Sequence, residues 1–141
     1  SDVCSSDLIF AMGGLDIAIT GIGDDGHVAF NEPGDAFYPR THAVDLAEST
    51  RRANARFFDG DITRVPKRAC SIGMEDIMRT KTFLVVASGK HKAELIRKTF
   101  CEEMIDPQWP VSFCRMHPNC IFIIDEDAAS ACDPNVWKPY Q

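Results

Sequence analysis

Apolar positions along the chain gather in short runs set between polar, glycine- and proline-rich stretches. Leu15 to Thr20 is apolar and β-branched, broken only by Asp16 and bounded by Gly13-Gly14 and Gly21, as in a buried strand of a parallel sheet. Thr82 to Ala87 is the clearest such run, Cys120 to Ile124 is another, and Ala69 to Ile72 is a shorter fourth. Between them the period changes. Glu48 to Phe58 reads as a helix, with Ala47, Ala53, Phe57 and Phe58 apolar and Thr50, Arg51, Arg52, Asn54 and Arg56 polar. Met74 to Met78 reads as a short helix, and Lys90 to Met104 as a longer one whose Ala93, Ile96, Phe100 and Met104 share a face. A short helix follows Asp125-Glu126-Asp127, and Asp35 to Pro39 reads as an ordered loop or flap.

Strand and helix in alternation predict an α/β fold, a mostly parallel sheet with helices on both faces in the Rossmann-like manner. About four strands is few for an independent sheet of this type. The string at residues 1–8 matches nothing around it, resembles a translated sequencing adapter, and is read as a non-native leader. Residues 9–132 then form part of a single domain, and residues 133–141, with Pro134 and Pro139, a loosely docked tail.

The 141 residues are 45% hydrophobic and 26% charged, which suits one globular domain or part of one. A formal net charge of −6 argues against a nucleic-acid surface, and Lys90-His91-Lys92 is too small a basic cluster to change that. No apolar run approaches the ~20 residues of a membrane helix, and residues 1–14 lack the pattern of a secretory signal, so the expected location is cytoplasmic. The six cysteines contain no Cys-x-x-Cys pair and read as reduced core thiols. Cys114-x-x-His117-x-x-Cys120 lacks a nearby fourth ligand, so no metal is assigned to it.

Candidate chemistry concentrates after the first strand. Gly21-x-Gly23-x-x-Gly26 fits the dinucleotide fingerprint, but Asp24 and Asp25 would set carboxylates where a pyrophosphate must lie, and Asn31-Glu32-Pro33 stops the helix that should hold it. Asp25, His27 and Glu32 make better sense as a catalytic group. An imidazole moves protons near neutral pH, and flanking carboxylates orient it and raise its basicity. On spacing alone, a structural histidine in a turn remains the alternative, and the reaction is unnamed. Lys90 and Lys92 begin a helix at the carboxyl end of a strand, a position that favours an anion.

The stretch Gly21-Ile-Gly-Asp-Asp-Gly-His-Val-Ala-Phe-Asn-Glu-Pro33 closely resembles the signature of the glucosamine-6-phosphate deaminase family. Thr50-Arg-Arg-Ala-Asn-Ala-Arg-Phe-Phe58, Val65-Pro-Lys-Arg-Ala69, Gly89-Lys-His-Lys-Ala93, Trp109-x-Val-Ser112 and His117-Pro118 agree in order and spacing. The resemblance implies that Asp25, His27 and Glu32 serve opening of the pyranose ring, with His27 carrying the proton, and that Arg56 and Lys92 hold the substrate phosphate. The implied reaction turns glucosamine 6-phosphate and water into fructose 6-phosphate and ammonia, with no metal or organic cofactor. The implied partner is an amino-sugar phosphate, with neither nucleic acid nor membrane, and a homo-oligomer is compatible with the full-length protein. In the family the base that moves a proton between C1 and C2 precedes the first strand and is not in this chain. The 141 residues alone are therefore expected to be inactive and poorly stable. Asp35 and Val44 are poor phosphate ligands, so the allosteric site of bacterial members is not carried over. A 6-phosphogluconolactonase or related isomerase is the alternative, disfavoured by Phe30-Asn31-Glu32-Pro33 and Asn54-Ala-Arg-Phe-Phe58. A non-catalytic sugar-phosphate sensor is disfavoured because no ring-opening residue is lost.

Overall fold

The computed structural model describes residues 5–137, so residues 1–4 of the expected leader and 138–141 of the expected tail lie outside the described residues. Helix α1 (Ser5–Ala11) leads into β1 (Ile17–Gly21), followed by β2 (His42–Asp45) and α2 (Glu48–Asn54). The chain continues through β3 (Arg68–Ser71), α3 (Met74–Met78), β4 (Thr82–Ala87), α4 (Ala93–Cys101), β5 (Cys120–Ile124) and α5 (Glu126–Ala129). The main sheet runs β1-β4-β5, parallel throughout, with Ile19 opposite Leu84 and Leu84 opposite Ile121. The expected α/β parallel sheet with helices is therefore present.

The fourth expected strand pairs elsewhere. Arg68–Ser71 joins His42–Asp45 in a separate antiparallel ribbon, so the parallel sheet has three strands. The leader's boundary at residue 8 falls inside α1, whose Ser6 is buried and donates to the Asp76 carboxylate at 2.7 Å.

Alternation along the strands separates two faces. Phe83, Val85 and Ala87 are buried and pack with Ile77 of α3, Leu95 and Ile96 of α4, Val111, Cys114 and Ala128. Each fully buried Val, Leu, Ile or Phe side chain among these contributes about 1.5–3 kcal/mol relative to leaving it exposed. The opposite face carries Ile17 (61% exposed), Ile19 (70%), Val86, Ile121 and Ile123. A contiguous apolar surface of this kind drives association. The 141-residue chain is expected to bind a hydrophobic dye and to self-associate, and Ile19→Lys to reduce both; sedimentation of a stable monomer that takes up no dye would contradict this.

Helix α4 ends earlier than its periodicity predicts. Glu102 is extended and its carbonyl accepts from Arg115 Nη1 at 2.6 Å, which leaves Met104 beyond the helix and exposed. Leu95 and Thr99 line its buried side with Ala93 and Ile96. Among the described residues, no helix is long and apolar enough to cross a membrane.

Candidate active site

Parallel pairing puts the carboxyl ends of β1, β4 and β5 at one edge of the sheet, and the loops that leave there are tied together. Asp125, after β5, accepts from Gly89 N–H at 2.9 Å and from Ala128 N–H at 2.8 Å. It thus joins the loop after β4 to the start of α5. Gly89 at φ 88° turns the chain into Lys90–Lys92, a single 3₁₀ turn ahead of α4. The helix start expected at Lys90 is therefore a 3₁₀ turn with α-helical geometry from Ala93.

The loop after β1 closes on itself. Gly23 N–H donates to His27 C=O at 3.0 Å and Gly26 N–H to Gly23 C=O at 3.1 Å, while Asp25 accepts from His27 N–H at 3.1 Å. Gly26 sits at φ 87°, and a Cβ there would lie 2.9 Å from the indole of Trp109. The next residues are anchored to the ribbon: Phe30 N–H donates to Ser71 Oγ, and Asn31 Nδ2 to the carbonyls of Val28 and Ile72. Ala29 is held at φ 56°, a left-handed conformation rare for residues other than glycine and often found beside functional sites.

This scaffold brings the three expected residues together. His27 Nδ1 lies 2.7 Å from Asp25 Oδ1 and 3.5 Å from Glu32 Oε2. One ligand atom from each of the three falls within 4.8 Å of the others, so among the described residues this is also the group that could hold a metal ion. The sequence assigns it none, and the imidazole–carboxylate contacts account for its geometry. Helix α2 supplies a fourth member. Thr50, 6% exposed, donates through Oγ1 to Glu32 Oε1 at 3.2 Å. Periodicity places Thr50 among the polar residues of a helix but says nothing of Glu32, which is why sequence reasoning misses this contact.

The two carboxyls are driven apart. Burial raises Asp25, but the His27 N–H bond, a hydrogen bond from Glu32 and the His27 charge outweigh it, so Asp25 lies below its ordinary value. Burial and the neighbouring Asp25 hold Glu32 above its ordinary value, against the pull of His27 and Thr50. The pair therefore titrates in two separated steps, with Asp25 the more acidic member. In the folded state Glu32 stabilises through its protonated form, a contribution present below its unfolded pKa and lost as pH rises through the folded one. Asp25 contributes in the opposite sense, above its unfolded pKa, and loses the contribution as pH falls through its folded one. Carboxyl-carbon NMR titration should find the Asp25–Glu32 gap wider than in model peptides, and Asp25→Asn should bring the Glu32 midpoint down; an unmoved midpoint would remove the coupling.

A cleft of about 590 Å³ lies over this group, lined by Asp24, Asp25, His27, Asn54, Arg56 and Lys92 among others. Arg56 reaches it from the 3₁₀ turn Ala55–Phe58, which continues α2 and ends at Asp59 in a left-handed conformation. Arg56 and Lys92, far apart in sequence, thus line one cavity with His27. Glu32 stands behind the imidazole, its side chain 20% exposed.

Cys114 and Cys120 thiols are pushed up by burial to about 12 and about 11; Cys114 and Cys132 are buried as expected of core thiols, whereas Cys70 and Cys101 are exposed and lie outside the core. His117 is engaged at both nitrogens, by Thr80 C=O at 2.9 Å and Asn119 N–H at 3.0 Å.

The sequence profile of the glucosamine-6-phosphate isomerases/6-phosphogluconolactonase family matches residues 6–122. The chain belongs to this family. It is 46% identical over 123 residues to the glucosamine-6-phosphate deaminase of Shouchella clausii, covering 87% of this chain and 49% of that protein. It is 44% identical over 122 residues to that of Drosophila melanogaster, covering 86% and 44%. The solved structure of a monomeric glucosamine-6-phosphate deaminase superposes with a TM-score of 0.81 at 44% identity, over 89% of this chain and 52% of that one. The chain spans about half the length of the curated relatives it matches. Thr50 and Trp109 head two of the stretches that resemble the family, but what they touch, Glu32 and Gly26, follows only from the fold.

Proposed function

We propose that this chain carries the ring-opening and phosphate-anchoring part of a glucosamine-6-phosphate deaminase acting in the cytoplasm. The overall reaction takes glucosamine 6-phosphate and water to fructose 6-phosphate and ammonia. The observation that carries the reading is the imidazole of His27, held by two carboxyls on the floor of a cleft that Lys92 and Arg56 also line.

Opening a pyranose needs a proton taken from the anomeric hydroxyl and one delivered to the ring oxygen. With Nδ1 engaged by Asp25 and Glu32, the Nε2 of His27 is the nitrogen left to face a sugar and perform both transfers. Asp25, the more acidic carboxyl, stabilises the imidazolium formed on the way. Glu32 accepts from Thr50 and limits rotation of the ring. Lys92 and Arg56 bind the 6-phosphate and set C1 over the imidazole, the guanidinium offering a fork of donors and the ammonium a point charge. Support for the deaminase over a lactonase comes from the relatives, which carry the deaminase name at 44–47% identity.

Ammonia release from glucosamine 6-phosphate by the full-length protein tests the reading, and no release would overturn it. Arg56→Ala should raise KM about tenfold or more, the loss of a charge-assisted phosphate contact, with a smaller effect on kcat. An unchanged KM would remove Arg56 from the phosphate site.

A further inference from the structure

We propose that Asp24 is a built-in counter-anion, holding the ammonium of Lys92 until a phosphate dianion displaces it and so making the cleft selective for that dianion over weaker anions. The inference rests on the reading of the cleft as a phosphosugar site and concerns a residue to which that reading gives no role.

Lys92 has two partners of different character. The first is the backbone carbonyl of Ile22, 2.9 Å from Nζ, which belongs to the loop after β1 and has no freedom to leave. It draws the side chain from the start of α4 across to that loop. The second partner is the Asp24 carboxylate. The Lys92 side chain is only 13% exposed, whereas that of Asp24 is 86% exposed. One end of the pair is therefore fixed in the wall of the cleft, and the other can rotate into water with no packing to lose.

An ammonium has three donors and no acceptor. The Ile22 carbonyl takes one, and Asp24, itself largely exposed, takes another. A largely buried ammonium without an anion is costly, so the carboxylate pairs with Lys92 and orients it while the cleft is empty. The same contact holds Asp24 below its ordinary value, chiefly through the Lys92 hydrogen bond, so the carboxylate stays ionised at neutral pH. An incoming phosphate competes for that donor. It brings two charges and can use Arg56, which lines the same cleft, whereas a monoanion must displace Asp24 at equal charge. Asp24 also adjoins Asp25, so rotation away from the cleft relieves repulsion between the phosphate and two adjacent carboxylates.

The test is the affinity of the full-length protein for inorganic phosphate, read by NMR titration at constant ionic strength. Asp24→Asn should tighten Kd about five- to tenfold and lower KM for glucosamine 6-phosphate by a similar factor, with kcat little changed. Lys92→Met, which keeps the apolar stem, should weaken phosphate binding and abolish the effect of Asp24→Asn; Lys92→Gln serves if Lys92→Met fails to fold. If Lys92→Met weakens binding but Asp24→Asn leaves Kd unchanged or weaker, the counter-anion role is overturned and the phosphate reading stands. Equal tightening by Asp24→Asn with and without Lys92 would also overturn it, because the effect would then be general repulsion rather than release of a donor. If neither Lys92 nor Arg56 substitutions alter phosphate binding, the phosphate reading fails and the inference with it.

Discussion

His27→Ala is expected to lower kcat for ammonia release from glucosamine 6-phosphate by about 10²–10⁴-fold, the range for loss of a positioned general acid–base, with KM changed little. The imidazole does not lie among the groups assigned to the phosphate, so binding survives its removal. In the proposed role, its contacts at 2.7 Å to Asp25 and 3.5 Å to Glu32 orient it for proton transfer. Loss of Asp25 alone should be milder, since Glu32 still faces the ring. Steady-state ammonia release checks this, with far-UV circular dichroism confirming that the variant is folded. Wild-type turnover in His27→Ala would end the ring-opening role, whatever the fate of the phosphate ligands.

Gly23→Ala should cost about 10² in kcat while leaving every titratable residue of the site in place. A Cβ at position 23 would stand 2.1 Å from Cε1 and 2.2 Å from Nδ1 of His27, far inside van der Waals contact. The imidazole must swing away, and it can do so only by leaving the carboxylates that orient it. Misplacement of a reacting group by about 1 Å is enough for a loss of this size. The backbone of Gly23 is not in the left-handed region, so the substitution adds no strain of its own and the fold should persist. Crystal or NMR evidence of an unmoved imidazole in an active Gly23→Ala variant would show that the close approach is not required. Double substitution with His27→Ala should add little further loss, because both act on one proton carrier.

Some of this arrangement is legible along the chain because it depends on near neighbours. Thr82–Ala87, Cys120–Ile124 and Met74–Met78 form over the ranges that their apolar patterns predict, and β1 is displaced by one or two residues from its expected span. Asp25, His27 and Glu32 lie within one loop, so a tight glycine turn can bring them together. By contrast, β2 carries no alternation strong enough to announce a strand in His42-Ala43-Val44-Asp45. It exists because β3 pairs with it in antiparallel register, and that pairing also takes β3 out of the parallel sheet. The end of α4 at Cys101 is likewise decided at a distance, where Arg115 takes the carbonyl of Glu102.

The sequence by itself determined the α/β alternation, the family signature and the loop that gathers Asp25, His27 and Glu32, since periodicity, turn chemistry and short spacing are local properties. Tertiary structure alone decided that Thr50 supports Glu32, that Trp109 packs beneath Gly26 and that Asp24 holds Lys92, and it supplied the cleft that Arg56 and Lys92, already drawn together by the family resemblance, share with His27. These contacts join residues 18 to 83 positions apart, and no local pattern encodes which distant side chain a folded sheet edge will bring to a loop.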